Sequence, residues 1–245
     1  MFNEVECINK KTYEELEFVC DYIEVPDPDP CPWGNCDENP EEPCWDCEEA
    51  PNEVLPLDTA NNILDTCIKA GVEKAFEVDI KNDFKDIMNG TFLENDNILL
   101  KIKDQAIPDT SMLGYFDPLQ TVLINSNYVR HGTIYLNSNV LSTSAQEMVV
   151  VTMYHELLHA FLDTLSGLYG GLALNHQYMA TTFVSKLSNA LQGIFSNLSN
   201  ADATALAWMG LHGTPMWGLK TTAEQNAILS TMNKYKKGTS GTKCK

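Results

Sequence analysis

An α+β domain behind an acidic appendage is the architecture this sequence predicts, and three observations carry the prediction. Charge is unevenly placed: residues 1–60 hold 18 acidic residues against two lysines, while residues 61–245 hold 16 acidic against 14 basic residues. Nearly all of the net charge of −18 therefore belongs to the N-terminal quarter. A few short strand candidates come first in the remainder and helical patterns follow, which is the α+β order. Last, one central segment is apolar around its whole circumference and has both a start and a stop signal, as a buried helix does. A chain of 245 residues can bury a good core as one large domain, or as one domain with an appendage.

The elements are read in chain order. Residues 25–56, VPDPDPCPWGNCDENPEEPCWDCEEAPNEVLP, carry prolines too often for helix or central strand and acids too densely for a core, so they form a linker or a small stapled module. Four cysteines lie there, Cys31, Cys36, Cys44 and Cys47, and Cys7, Cys20, Cys67 and Cys244 are scattered elsewhere. An even total fits disulfides in an oxidising compartment, and a second, structural ion held by the four clustered thiolates is the alternative. The C-x4-C half is not the usual knuckle spacing, and no βαβ pattern surrounds Cys44 and Cys47 to suggest a redox motif. The expected division is residues 1–57 as an acidic Pro/Cys-rich segment, 58–238 as the folded domain and 239–245 as a flexible tail.

Asp58 is expected to cap a helix through NNILDTCIKA that stops at Gly71, with Ile63, Leu64, Cys67 and Ile68 as its apolar stripe. Strand candidates follow at 74–80, 97–103, 120–125 and 133–137. The look-alike segments LINSNYV and YLNSNVL suggest two neighbouring strands leaving through similar Asn-Ser-Asn turns. Ser144 and Glu147 read as a capping box opening the central helix, which Gly167 stops. A glycine-rich loop, 167–175, leads to a second helix beginning near His176, and a last helix is expected near 222–236.

The central helix carries TMYHELLHAF, residues 152–161, which places two histidines and a glutamate in an apolar run. Residues four apart share a helix face, so His155 and His159 can bind one ion while Glu156 sits beside them. Neutral imidazoles suit zinc, and an adjacent carboxylate can take a proton from a water whose pKa the ion has lowered. Catalytic zinc takes a third protein ligand. His176, 17 residues after His159 and across a turn of the chain, can return to that face. His131 and His212 are the other histidines, and Glu147 and Asp163 the nearby acids. Asp163 lies a turn beyond the ion, which suits a hydrogen bond to an imidazole better than ligation, although it stays the main rival as ligand.

With the strand 133–137, the helix His155-Glu156-Leu-Leu-His159-Ala-Phe and the later Asn175-His176-Gln-Tyr-Met179, the chain resembles the zincin metallopeptidases, and within them the SprT-like group, over about residues 120–195. The resemblance implies a zincin-like α+β fold, with a small mixed sheet packed on an active-site helix and further C-terminal helices. It implies a zinc-dependent endopeptidase holding one catalytic Zn2+ on His155, His159 and His176, with Glu156 as general base. It also implies an edge strand beside the active helix on which an extended peptide substrate adds as one more strand, for which Thr133, Ile134, Tyr135, Leu136 and Asn137 are the candidates. Tyr169, Tyr178 and His212 are candidates for an oxyanion donor or cleft wall. The chain departs from the group in being acidic and in carrying Gln177 after the third histidine.

Composition excludes some classes. An acidic segment repels phosphates, and the remaining domain has Arg130 as its single arginine and no basic patch, so no nucleic-acid partner is expected. No apolar run approaches a membrane span, and the first 30 residues show no signal-peptide pattern; a soluble protein is expected, cytoplasmic or secreted as part of a longer precursor. The expected partner is a protein or peptide substrate. A catalytically idle zinc-bearing binding domain and a narrow-specificity effector protease are the competing functions.

Overall fold

The computed structural model describes residues 4–11, 16–23, 57–58, 63–77, 91–92, 97–124, 127–165 and 172–243. The expectations for residues 25–56, the four-cysteine cluster, Gly167 and Tyr169 fall outside them, and Asp58, expected as a helix cap, lies instead in a short strand eight residues before the helix. The chain divides into two compact units, Met1–Asn52 and Glu53–Lys245. In the first, β1 (Glu4–Lys11) and β2 (Leu16–Ile23) form an antiparallel ribbon with Cys7 opposite Cys20. That ribbon was not expected in a stretch whose acids hide the strand pattern.

In the second unit, β3 (Leu57–Asp58), β4 (Ile98–Gln105), β5 (Gly114–Ile124) and β6 (Asn127–Asn137) make one sheet in the order β3-β4-β6-β5. β3 and β6 run parallel to β4, and β5 runs antiparallel to β6, so the sheet is mixed. On β4, Ile98, Leu100 and Ile102 are buried in alternation, as a strand with one face on the core requires. β5 starts six residues before the expected strand. Pro118 sits in the register shift between Asp117 and Gln120, where the ladder needs no N–H, and the strand continues through it.

Helix α1 spans Thr66–Glu77. Asp65 is its cap, accepting from the N–H groups of Cys67 and Ile68 at 2.9 Å each. Leu64, expected in the apolar stripe, precedes the helix and is 88% exposed, whereas Ile63, Cys67 and Ile68 are buried. Cys67 is disulfide-bonded. Gly71 does not stop the helix: a Cβ there would lie 2.7 Å from Cγ1 of Val149, so glycine is needed for close approach to the central helix. The expected strand at 74–80 is helix as far as Glu77.

Of the two Asn-Ser-Asn segments, the first follows β5 and the second opens the short helix α2 (Ser138–Leu141). There Asn137 is fully buried. Its Oδ1 accepts from Ile107 and Asn139 at 3.1 and 3.0 Å, and its Nδ2 donates to the carbonyls of Asp109 and Met112 at 3.2 and 2.7 Å. With every polar site used, the side chain fixes the 107–112 loop at the end of the sheet.

The central helix α3 (Gln146–Thr164) buries 15 of its 19 residues, because it packs on α1, β5, β6 and the later helices together. The Ser144–Glu147 capping box does not form. Ser144 Oγ donates to Val140 O and Lys236 O, and buried Glu147 accepts from Thr242 N at 2.8 Å and Thr242 Oγ1 at 2.8 Å. The start of α3 is thus capped by the end of the chain, with Gln146 N also bonded to Thr242 O at 2.9 Å. Residues 239–242, expected as a flexible tail, are part of the fold. Gly241 permits it: its φ is +87°, and a Cβ there would lie 2.6 Å from Glu147 Oε2.

The second long helix is two helices, α4 (Leu172–Thr182) and α5 (Val184–Ile194), broken at Phe183. It begins four residues before His176, inside the expected loop. α6 (Asn200–Ala207) and the single turn α7 (Pro215–Gly218) follow, and α8 (Thr222–Lys236) starts with a Thr221–Glu224 capping box. No helix among the described residues is long and apolar enough to cross a membrane.

Candidate metal centre

Helix α3 is apolar nearly all round, so folding draws its polar residues into the core with it. His155, Glu156 and His159 are 5%, 6% and 8% exposed. Helix α4 brings half-buried His176 to the same point. Nε2 of His159 lies 3.2 Å from Nε2 of His155 and 3.0 Å from Nε2 of His176. All three ligand atoms fall within 4.8 Å of one another, a cluster that could hold a metal ion. Nitrogens bonded tetrahedrally at 2.0–2.1 Å to one zinc would stand roughly 3.3 Å apart, a few tenths of an ångström from the two spacings at His159. Glu156 is not one of the three.

The electrostatics favour neutral imidazoles. Burial holds His155 well below its ordinary value, and the neighbouring His159 and His176 push the same way. Burial, then His176, lowers His159 to about 4, and burial alone lowers His176. Neutral rings whose Nε2 atoms converge on one point can turn their lone pairs toward a cation placed between them. The Met209 carbonyl accepts from the His155 ring, and a carbonyl that takes one ring N–H leaves the other nitrogen free to ligate. Glu156 behaves oppositely: burial raises its carboxyl to about 8, and a hydrogen bond from the Phe116 backbone N–H is the smaller, opposing effect.

Phe116 lies on β5, and its N–H to Glu156 shows which strand borders the site. Thr133–Asn137 is not an edge: β6 is hydrogen-bonded to β4 on one side and to β5 on the other. Among the described residues the outer strands are β3 and β5, and β5 is the one beside Glu156. At Gly114 a Cβ would come 3.4 Å from Glu156 Cγ and 2.9 Å from the Tyr135 carbonyl, so the start of β5 lies close against the helix.

The other expected residues have different places. Asp163 turns away from the imidazoles: its Oδ2 accepts from Leu119 N at 3.0 Å and lies 3.5 Å from Arg130 Nη2, which also donates to the Asp163 carbonyl at 3.1 Å. It therefore ties the bulge of β5 to the end of α3 and is neither a ligand nor an imidazole partner. Tyr178 packs its ring 5.8 Å from that of Phe183 and does not line the cleft. His212 does line it, with its ring 4.6 Å from Trp217 and a buried Nε2 that has no hydrogen-bond partner among the described residues.

Above the histidines opens a cleft of about 800 Å³, bounded by the residues before and along β5, the 209–212 turn and one face of α8. Two of its features were not anticipated. Gly210 has φ +76°, and a Cβ there would lie 2.5 Å from His155 Cε1, so only glycine lets the turn close over the ligand. The sequence around His212 offered a cleft wall, but nothing in it pointed at His155. The α8 wall, too, could not be read from a helix whose pattern is mostly polar. Comparison with protein-family models, with curated proteins and with solved structures finds no match for this chain.

Proposed function

We propose that this chain is a zinc-dependent endopeptidase of zincin type, close in design to the SprT-like group, with His155, His159 and His176 holding the ion and Glu156 serving as general base. The observation that carries the reading is the convergence of three neutral imidazoles on one point, with a carboxyl that is not part of the cluster beside them at the floor of an open cleft. A purely structural ion closes its coordination with protein ligands and has no use for a base. Zinc bound there would supply Lewis acidity and a water acidified toward neutrality.

The chain's own groups supply the rest. The Met209 carbonyl and Gly210 hold the His155 ring in one tautomer and one place. Glu156, buried beside the three histidines, would take a proton at its carboxylate and return it to a leaving amine. The Phe116 N–H fixes the direction of that carboxylate. The outer edge of β5 offers an extended peptide backbone pairing beside the base.

The test is cleavage of a degenerate peptide library by zinc-loaded chain, before and after a chelator, with Glu156→Gln in parallel. The reading predicts chelator-sensitive cleavage restored by zinc, and a variant that keeps its zinc while turnover falls by at least about 10³-fold. Stoichiometric zinc without any cleavage would favour the idle binding domain instead.

A further inference from the structure

The cleft beside the histidines is lined by four of the chain's nine methionines, Met112, Met148, Met209 and Met232, together with Leu113 and Leu229. Met148 and Met209 are buried at its base, whereas Met112 and Leu229 are 41% and 37% exposed on its two walls. Leu229 and Met232, three apart, share one face of α8. Apolar side chains left facing solvent across a concave site cost free energy that a ligand recovers. Thioethers are soft and flexible enough to mould around side chains of different shape.

The walls are held in place without a ligand. Lys236, one turn beyond Met232, donates from Nζ to the Thr110 carbonyl at 2.8 Å, bridging α8 to the loop that carries Met112. On the walls away from the histidines, Lys236 is held by the Thr110 carbonyl and Asp163 by Leu119 and Arg130. A charged side chain seated among the methionines, between Met112 and α8, would exchange water for an apolar lining.

Resting on the peptidase reading, we infer that this methionine-lined pocket is the specificity subsite. It takes a large apolar side chain (Leu, Met or Phe) of an extended peptide next to the scissile bond, and it rejects small and acidic ones. The start of β5 and Glu156 both line the pocket, so a backbone lying along β5 would place one side chain between Met112 and α8.

The experiment uses full-length, zinc-loaded Glu156→Gln chain, which binds without turning over. Fluorescein-labelled Gly/Ser/Asn peptides carry one central Leu, Phe, Met, Ala, Asp or Lys, and binding is read by anisotropy. The Leu, Phe and Met peptides should bind at least about 30-fold more tightly than the Ala and Asp peptides. Adding Met232→Glu should weaken the Leu peptide by a similar factor and favour the Lys peptide, while Met232→Leu should keep the original order and report that α8 is intact. Equal binding of Leu and Asp peptides, or an unchanged order with Met232→Glu, overturns the assignment. Library cleavage by wild type separates the two claims. Selective apolar binding without cleavage keeps the subsite and removes the peptidase reading, whereas cleavage indifferent to the side chain does the reverse.

Discussion

Glu156→Gln should stabilise the metal-free chain, and the gain should depend on pH. In the fold the Glu156 carboxyl is raised from 4.5 to about 8 by burial. Between those values the folded state keeps a proton that the unfolded state releases, so stability from this group is present below 4.5 and is lost as pH rises to 8. The span of 3.5 units (8 less 4.5) at 1.36 kcal/mol each gives about 5 kcal/mol at pH 8. Glutamine carries no charge to desolvate and keeps an oxygen for the Phe116 N–H. At roughly 2–4 °C per kcal/mol for a domain of this size, Tm of the variant should exceed that of wild type by about 10–20 °C at pH 8. At pH 5 only about half a unit remains, under about 1 kcal/mol, and the gap should shrink to about 2 °C. The histidines act with the opposite sign. Their lowered values make both proteins less stable as pH falls from 6.5 toward 4, and this cancels in the difference. The assay is calorimetric unfolding of both proteins in excess chelator at pH 5, 6.5 and 8. A gap that is the same at every pH, or a variant less stable than wild type at pH 8, would refute the reasoning. Zinc should narrow the gap at pH 8, because a nearby cation favours the carboxylate.

Three further predictions concern the ligands and their support. His176→Ala should lose stoichiometric zinc by metal analysis, whereas Asp163→Ala should keep zinc and cost about 1–3 kcal/mol in urea unfolding, since it strands the Leu119 N–H; full zinc in the first variant would move the third ligand elsewhere. Gly210→Ala should displace His155 and weaken zinc by about 10–100-fold in chelator competition, and unchanged affinity would show that the turn does not position the ring. Glu147→Ala should cost about 2–3 kcal/mol and expose the last residues to carboxypeptidase, because Thr242 loses its acceptor; wild-type resistance would place the anchor of that segment elsewhere.

The features legible in the sequence were those set by local rules. A spacing of four puts His155 and His159 on one face whatever surrounds them, and Thr221 with Glu224 starts α8 through contacts three residues apart. What was misread depends on distant partners. Glu147 sits where a capping box wants an acid, yet Thr242, 95 residues away, claims it. Asp163 has the spacing of an imidazole partner, but the bulge around Leu119 and the single arginine take its carboxylate. Gly71 looks like a helix stop because glycine often is one, and here it serves contact with Val149. Thr133–Asn137 reads as a strand correctly, but nothing local tells an inner strand from an edge, and Pro118 concealed the strand that holds that position.

X-ray absorption at the zinc edge on the loaded wild-type chain tests the central claim most directly, because it reads the atoms bound to the ion. The account predicts three imidazole nitrogens at about 2.0–2.1 Å, one further light atom from solvent and no sulfur. A sulfur-bearing shell, or a shell closed by four protein ligands, would contradict it.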